Sequence, residues 1–317
     1  MRILVTGGAG CIGSDLAGAL LDRGDEVVIF DNFSSGKEEH VEPLRARPGC
    51  RVIEADLLNL AEIDSALDGV EMVYHLAANP DVKFVADAPT GKDLRQNVVA
   101  THNLLEAMRS RGVGRLAFAS TSAVYGIPPA LPVGENGFFP RPISLYGATK
   151  MACEALISAF SNLFGMRCWV LRLANIVGPK IRKHGRTVIA DFIYKLRENP
   201  RRLLILGDGW QAKSYLSGSE CVEAMLFVVE HPQERLTVLN IGCRDNLTVT
   251  RIAEMVVAAM GLEGVQFDYT GTEGGWPGDV PRVALDVTAL ERLGWKARLN
   301  SEQSVAEAIR ETLKRVP

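Results

Sequence analysis

The chain has 317 residues, 47% hydrophobic and 23% charged, the composition of an ordinary globular protein large enough for one α/β domain and a smaller one. A formal net charge of -3 argues against a nucleic-acid partner, because phosphate binding draws on a basic face. No stretch reaches the ~18 uninterrupted apolar residues of a membrane span, and only Met1 and Arg2 precede the first apolar run, so a cytoplasmic protein without a membrane partner is expected.

Ile3 to Thr6 form a short apolar run, followed by Gly7-Gly-Ala-Gly10-Cys-Ile-Gly13 and then by Leu16, Ala17, Leu20 and Leu21 at helical spacing. The pattern predicts strand, glycine turn and helix. Such glycines let a backbone pass close to a pyrophosphate and point the helix N-terminus at it, where free N–H groups and the dipole favour negative charge. Gly24 closes the helix, Val27 to Phe30 form a second strand, and Asp31 falls at its carboxyl end. A dinucleotide fold places there the acid that meets the adenosine ribose hydroxyls. A carboxylate at that point repels a 2′-phosphate, so NAD is expected rather than NADP.

Strand-like runs at Arg51–Ala55, Met72–Leu76, Leu116–Ser120 and Cys168–Leu173 alternate with helical stretches near Leu60–Leu67, Asn97–Arg111 and Tyr146–Phe164. Alternation of this kind predicts right-handed βαβ units and a parallel, Rossmann-type doubly wound sheet. Ligands in such sheets sit beyond the carboxyl ends of the strands. The residues just past those ends are therefore candidates for a site: Asp56-Leu57, Ala77-Ala78-Asn79, Thr121-Ser122 and Ala174-Asn175. For Thr121 and Ser122 simple capping competes with catalysis.

Tyr146-Gly-Ala-Thr-Lys150 opens the helical run that continues through Met151, Ala152, Ala155, Leu156, Ala159, Phe160 and Leu163. Residues i and i+4 share a helix face within roughly 5–6 Å. An ammonium beside a phenol favours the phenolate and brings a group that otherwise ionises near pH ~10 toward neutrality. Tyr146 is thus a candidate general base.

Beyond Asn175, the stretch from Pro179 to Arg186 is a polar, basic loop, either a solvated face or a contact for an anionic substrate. A helix (Thr187–Arg197), the segment Leu203 to Gly209, a helix through Cys221–Val229, a strand at Val238–Ile241, and helices near Val249–Met260, Thr288–Leu293 and Ser301–Leu313 complete the chain. The predicted division is a dinucleotide-binding domain over 1–175 and a smaller C-terminal α/β substrate lobe over 176–317, with 213–243 able to rejoin the first. Cys11, Cys50, Cys153, Cys168, Cys221 and Cys243 are scattered with neither Cys-x-x-Cys nor zinc-ligand spacing, so reduced thiols and no metal are expected.

Gly7 to Gly13, Asp31-Asn32, Asp56-Leu57, His75-Leu-Ala-Ala78, Ser120-Thr-Ser-Ala-Val-Tyr-Gly126, Tyr146 to Lys150 and Leu171-Arg-Leu-Ala-Asn175 together resemble the extended short-chain dehydrogenase/reductases. Among these NAD-dependent epimerases and dehydratases the chain is most similar to the UDP-glucose 4-epimerases, archaeal ones especially, nearly end to end. The resemblance implies that Tyr146 is the acid–base, that Lys150 binds the nicotinamide ribose and lowers the tyrosine's pKa, and that Thr121 hydrogen-bonds the sugar O4. It implies a cofactor cleft lined by Gly7, Gly10, Cys11, Ile12, Gly13, Asp31, Asn32, Ser35, Gly36, Asp56, Leu57, Leu76, Ala77, Ala78 and Asn97. It further implies UDP-sugar contacts at Asn175, Lys213, Asp279 and Val283, and a homodimer packing the helices Asn97–Arg111 and Tyr146–Phe164 as a four-helix bundle.

Several positions depart from the pattern. Cys11 replaces an aromatic residue, Ser217-Gly-Ser-Glu220 replaces Tyr-Val-x-Asp, and Lys213 and Trp276 stand where the family often has two diphosphate-clamping arginines, a loss that Arg182 or Arg186 would have to offset. A 4,6-dehydratase needs an acid–base pair after the threonine, and Ser122-Ala123 cannot supply it. A UDP-glucuronate epimerase using the basic 180–186 stretch, a UDP-N-acetylglucosamine epimerase with Val283 at the pocket border, and a non-catalytic NAD-binding regulator are the other readings. For Val283 a plain role as a core strand residue competes with the border role.

Overall fold

The computed structural model describes residues 1–81, 90–178, 187–231 and 234–315. Six strands, β1 (Arg2–Thr6), β2 (Glu26–Asp31), β3 (Cys50–Glu54), β4 (Met72–His75), β5 (Arg115–Thr121) and β6 (Arg167–Leu173), form one sheet with a seventh, Leu236–Ile241. Their order is β3-β2-β1-β4-β5-β6, with Leu236–Ile241 at the β6 edge, and every pairing is parallel. This is the doubly wound order, with the crevice where the sequence of strands reverses between β1 and β4.

Side chains alternate across the sheet, as the pleat requires. Ile3, Val5, Ile29, Tyr74, Trp169 and Leu171 pack on one face under the helices Cys11–Asp22 and Gly218–Glu230. Leu4, Phe30, Val73, Leu116, Phe118 and Val170 pack on the other under Leu60–Ala66, Ala100–Arg111 and Leu145–Phe164. Apolar on both faces, the strands read as unbroken hydrophobic runs, the signature of a buried parallel sheet. A second core joins the helices Val188–Glu198, Val249–Ala259 and Ser301–Arg315 to the paired strands Arg202–Ile205 and Gln266–Tyr269.

Three local features differ from the expectations. The stretch before Ala100 is a π-helical turn, Leu94–Val99, preceding an α-helix that starts at Ala100. The helix Glu38–Arg45 carries Pro43 inside it, which hid it from a periodicity reading. Ser217-Gly-Ser-Glu220 starts a helix: the Ser217 hydroxyl accepts the Glu220 N–H at 3.3 Å, and buried Glu220 accepts the Arg298 N–H at 2.6 Å, tying the C-terminal segment to the sheet domain.

Candidate active site

The helix Cys11–Asp22 begins at Gly10, which offers no side-chain cap, and a helix N-terminus favours an anionic ligand. The turn is built for glycine. Gly7 has φ +70°, and a Cβ there would lie 2.6 Å from the Ala77 nitrogen; a Cβ on Gly13 would lie 2.2 Å from the Gly7 carbonyl oxygen. Gly7, Gly10, Cys11, Ile12 and Gly13 line one wall of a cleft whose other walls include Leu76, Ala77 and Ala78 past β4. Asn32, Ser35, Gly36, Asp56 and Leu57 line it past β2 and β3.

Asp31, on the same cleft, is 8% exposed. Its Oδ2 accepts the Ala9 N–H and its Oδ1 the Phe33 N–H, both at 2.9 Å, and a Cβ on Gly36 would come within 2.9 Å of Oδ1. A carboxylate offers about four lone-pair directions, so one group can accept from backbone N–H groups and from a ribose hydroxyl together. The glycine cradle and the fixed carboxylate together fit a dinucleotide whose ribose carries free hydroxyls. By calorimetry, NAD is expected to bind at least ~10-fold more tightly than NADP, whose 2′-phosphate would face a like charge; equal or tighter NADP binding would remove Asp31 from this role.

Asn97 does not line the cleft. It is buried, its Oδ1 accepting the Asn79 N–H at 2.7 Å and its Nδ2 donating to Thr149 Oγ1 at 2.9 Å, while Gln96 and Ala100 face the cleft instead. The π-helical turn shifts the register, because i→i+5 bonding advances fewer degrees per residue than i→i+4. Asn97 therefore supports the wall from behind.

At the other end stands the helix Leu145–Phe164, started by Ser144, whose hydroxyl accepts the Gly147 N–H at 3.0 Å. Tyr146 and Lys150 both line the cofactor cleft. Lys150 is 2% exposed, donates from Nζ to the Ala119 carbonyl at 2.8 Å and lies 4.5 Å from the Phe118 ring centre. Burial pushes its pKa down to about 8. His75, held between the Thr6 and Thr101 hydroxyls at 2.7 and 2.9 Å, is pushed down to about 3 by burial and then by the Lys150 charge, so it stays neutral and structural.

A second cleft opens from the first toward the smaller lobe. Tyr146, Ser120, Leu173, Ile12 and Pro80 line both. The phenol thus belongs to the boundary where a cofactor and a second ligand meet. Thr121 lines only the second cleft; its Oγ1 also accepts the Ala123 N–H at 3.2 Å, so it caps the 3-10 turn Ser122–Tyr125 while remaining at the cleft wall. Asn175 lines the same cleft.

Lys213 and Asp279 are on the second cleft as a pair, Nζ against Oδ1, with Asp279 Oδ2 accepting the Gly275 N–H at 3.0 Å. The Lys213 ammonium also lies 5.5 Å from the Trp276 ring centre. The two positions expected to replace a pair of arginines are therefore in contact, and Asp279 holds the cation rather than standing apart as a ligand. Val283 is 5% exposed, pairs in register with Lys213 and packs with Val124, Tyr125, Val280 and Leu285, and so lies in the core beneath the Lys213 side of the cleft. Arg182 and Arg186, with the rest of the basic 179–186 stretch, lie outside the described residues.

Sequence reasoning passed over a buried network behind the site. Arg172 donates to Glu154 Oε2 at 2.7 Å and to the Tyr125 hydroxyl at 3.1 Å, Tyr125 donates to Asn240 Oδ1 at 2.6 Å, and Ser120 donates to Glu154. Glu154 is one helical turn beyond Lys150, so the i, i+4, i+8 row Tyr146, Lys150, Glu154 was a legible signal.

The model of the NAD-dependent epimerase/dehydratase family matches residues 3–242. A putative UDP-glucose 4-epimerase of Methanocaldococcus jannaschii is 31% identical over 311 residues, covering 97% of each chain. A crystal structure of a UDP-galactose 4-epimerase superposes with a TM-score of 0.86 at 38% identity, covering 100% of both chains. UDP-glucuronic acid 4-epimerase from Bacillus cereus, solved with UDP-glucuronic acid and NAD, gives a TM-score of 0.89 at 26% identity with the same coverage.

Proposed function

Because the chain belongs to the NAD-dependent epimerase/dehydratase family, we propose that it is a UDP-sugar 4-epimerase of the UDP-glucose/UDP-galactose type with Tyr146 as its acid–base. The observation that carries this reading is the position of Tyr146 on the wall common to the cofactor cleft and the second cleft, with Lys150 one turn away. NAD, when bound, supplies an acceptor for the hydride at sugar C4 and a donor that returns it to the opposite face. The chain supplies the proton chemistry and the positioning. A sugar hydroxyl is too weak an acid to lose its proton unaided, so the Tyr146 phenolate oxygen takes it as the hydride leaves and gives it back on return. The Lys150 ammonium favours that phenolate, and Thr121 holds O4 from the second cleft.

Asn175 and the Lys213 ammonium are assigned to the nucleotide-sugar, with Asp279 orienting Lys213 from behind. Pairing with Asp279 offsets part of the Lys213 charge, so diphosphate binding leans on backbone donors and shape more than on that cation. Dehydration is disfavoured because Ser122 and Ala123 bring no acid–base pair behind Thr121. As a working division, 1–175 with 213–243 forms the cofactor unit and the remainder the substrate lobe. A homodimer is the assigned assembly: Leu163 and Phe164 remain exposed on one of the two helices that would meet a second copy, and Val99 on the π-helical turn that leads into the other.

Purified protein incubated with NAD and, separately, with UDP-glucose, UDP-galactose, UDP-glucuronate and UDP-N-acetylglucosamine is expected to form the C4 epimer of a UDP-hexose, and light scattering of the same sample is expected to give a dimer. Loss of water to a 4-keto-6-deoxy sugar, or no turnover of any of the four, would overturn the epimerase assignment.

A further inference from the structure

One guanidinium joins the helix that carries Tyr146 to the turn that Thr121 caps. Arg172, near the carboxyl end of β6, is 7% exposed and donates twice to the Glu154 carboxylate, Nη2 to Oε2 at 2.7 Å and Nε to Oε1 at 3.1 Å. Glu154 belongs to the helix of Tyr146 and Lys150, and Ser120, on the wall of both clefts, donates to the same carboxylate. From the other arm of the fork, Nη1 donates to the Tyr125 hydroxyl at 3.1 Å and to the Glu135 carbonyl at 3.0 Å. Tyr125 ends the 3-10 turn whose cap is Thr121. Its buried ring lies 4.9 Å from the guanidinium carbon, and its hydroxyl donates to Asn240 Oδ1 at 2.6 Å. Asn240 in turn donates from Nδ2 to the Val133 and Asp286 carbonyls, both at 3.0 Å.

The same helix and the same turn meet at a second point. A Cβ on Gly147 would lie 2.6 Å from the Ala123 carbonyl oxygen, so glycine lets the helix settle on the turn one residue after Tyr146. Gly147 and Glu154 are seven residues apart, about 10 Å along a helix axis. Contact at one point leaves two elements free to pivot, whereas contact at two fixes their angle as well as their spacing. Stability alone does not account for the ion pair. Its side chains are 9% and 10% exposed, and desolvation of such charges offsets most of their attraction, so a packed apolar pair of similar volume holds a fold as well. A planar guanidinium that bonds two different elements supplies a geometry that apolar contact does not.

We propose that Arg172 is a positioning residue for the C4 chemistry: by bridging Glu154 and Tyr125 it sets the separation of the Tyr146 phenol from the Thr121 hydroxyl across the sugar oxygen. The inference rests on the epimerase reading above. The O4 atom has to lie within hydrogen-bond reach of both groups, one on the helix and one at the turn, and that reach spans only about half an ångström. A misplacement of about 1 Å from a change remote from the chemistry costs about 10²-fold in rate. Arg172 itself is on the wall of neither cleft, so it acts on the reaction through Tyr146 and Thr121 and leaves the affinities for cofactor and substrate to other groups.

The test uses whichever UDP-sugar the wild-type protein epimerises, with NAD saturating. Arg172→Lys keeps the charge and loses the fork, and Tyr125→Phe keeps the ring and loses the bridging oxygen. They are expected to lower kcat by ~10²-fold and ~10-fold respectively, with KM and NAD affinity within about threefold of wild type. A double variant, Glu154→Leu with Arg172→Met, separates positioning from stability. It exchanges the ion pair for an apolar one and is expected to melt near the wild-type temperature, while kcat stays at least ~10-fold down. Recovery of kcat along with melting temperature would overturn the proposal, as would wild-type turnover by Arg172→Lys. If the double variant does not fold, Tyr125→Phe decides: a rise in KM at unchanged kcat counts against positioning, and a fall in kcat at unchanged KM supports it. No epimerisation of any UDP-sugar by the wild-type protein removes the epimerase reading, and this inference with it, whereas an active wild type with equally active variants removes only the role of Arg172.

Discussion

Tyr146→Phe is expected to lower kcat for C4 epimerisation by at least ~10²-fold, within the ~10²–10⁴ that a positioned general acid–base contributes, while NAD affinity stays within a few-fold of wild type. The change removes one oxygen and keeps the ring. The ring is what Tyr146 contributes to the walls of the two clefts, whereas the dinucleotide is held chiefly by the glycine turn, the helix N-terminus and Asp31. The helix start is also undisturbed, since its cap is the Ser144 hydroxyl on the Gly147 N–H. Loss should therefore appear in kcat with little change in KM, the pattern of an interaction made in the transition state. Single-turnover assays with UDP-galactose, run beside NAD titrations of the same variant, measure both. Turnover near the wild-type rate would take the acid–base role away from Tyr146, and a large fall in NAD affinity would recast it as a binding residue.

The legible parts of the chain were those whose signal is local. The glycine turn announces itself because its glycines answer steric demands within a few residues and one neighbouring strand, and Asp31 follows at the end of the next apolar run. The row Tyr146, Lys150, Glu154 is a helix-face property, set by 3.6-residue periodicity. The smaller lobe was harder. Its strands Ala212–Lys213, Leu247–Thr248 and Arg282–Val283 are two residues long, too short to carry a period, so nothing in the sequence says which side of Val283 faces the core. Asn97 falls on a π-helical turn, which no 3.6-residue period announces. The Lys213–Asp279 contact joins residues 66 positions apart and is a product of tertiary packing alone.

Lys150→Met is expected to abolish most activity and yet to stabilise the cofactor-free fold, with a pH dependence that identifies the cause. An ammonium withdrawn from water is unfavourable, and here its polar contact is the Ala119 carbonyl, with the Phe118 ring alongside and no carboxylate in an ion pair with it among the described residues. The fall in pKa from 10.5 to about 8 corresponds to about 3 kcal/mol of preference for the neutral amine in the folded state. Methionine fills a similar volume without the charge but leaves the Ala119 carbonyl unmet, which returns ~1 kcal/mol or more of that gain, so a net stabilisation of ~1–2 kcal/mol is expected at pH 7. The sign with pH follows from proton counting. Below pH 8 the amine is protonated in both the folded and unfolded chains, and the full penalty is present. Between pH 8 and 10.5 the unfolded chain holds the proton and the folded one does not, so wild-type stability rises with pH relative to the variant. The advantage of Lys150→Met should therefore shrink across that window. Urea unfolding of both proteins at pH 7, 8, 9 and 10 without NAD measures the difference. A variant less stable than wild type at pH 7, or a difference that stays flat to pH 10, would mean that the buried charge is not what the fold bears for the sake of Tyr146. Retention of activity in the same variant would show that the phenolate does not depend on it.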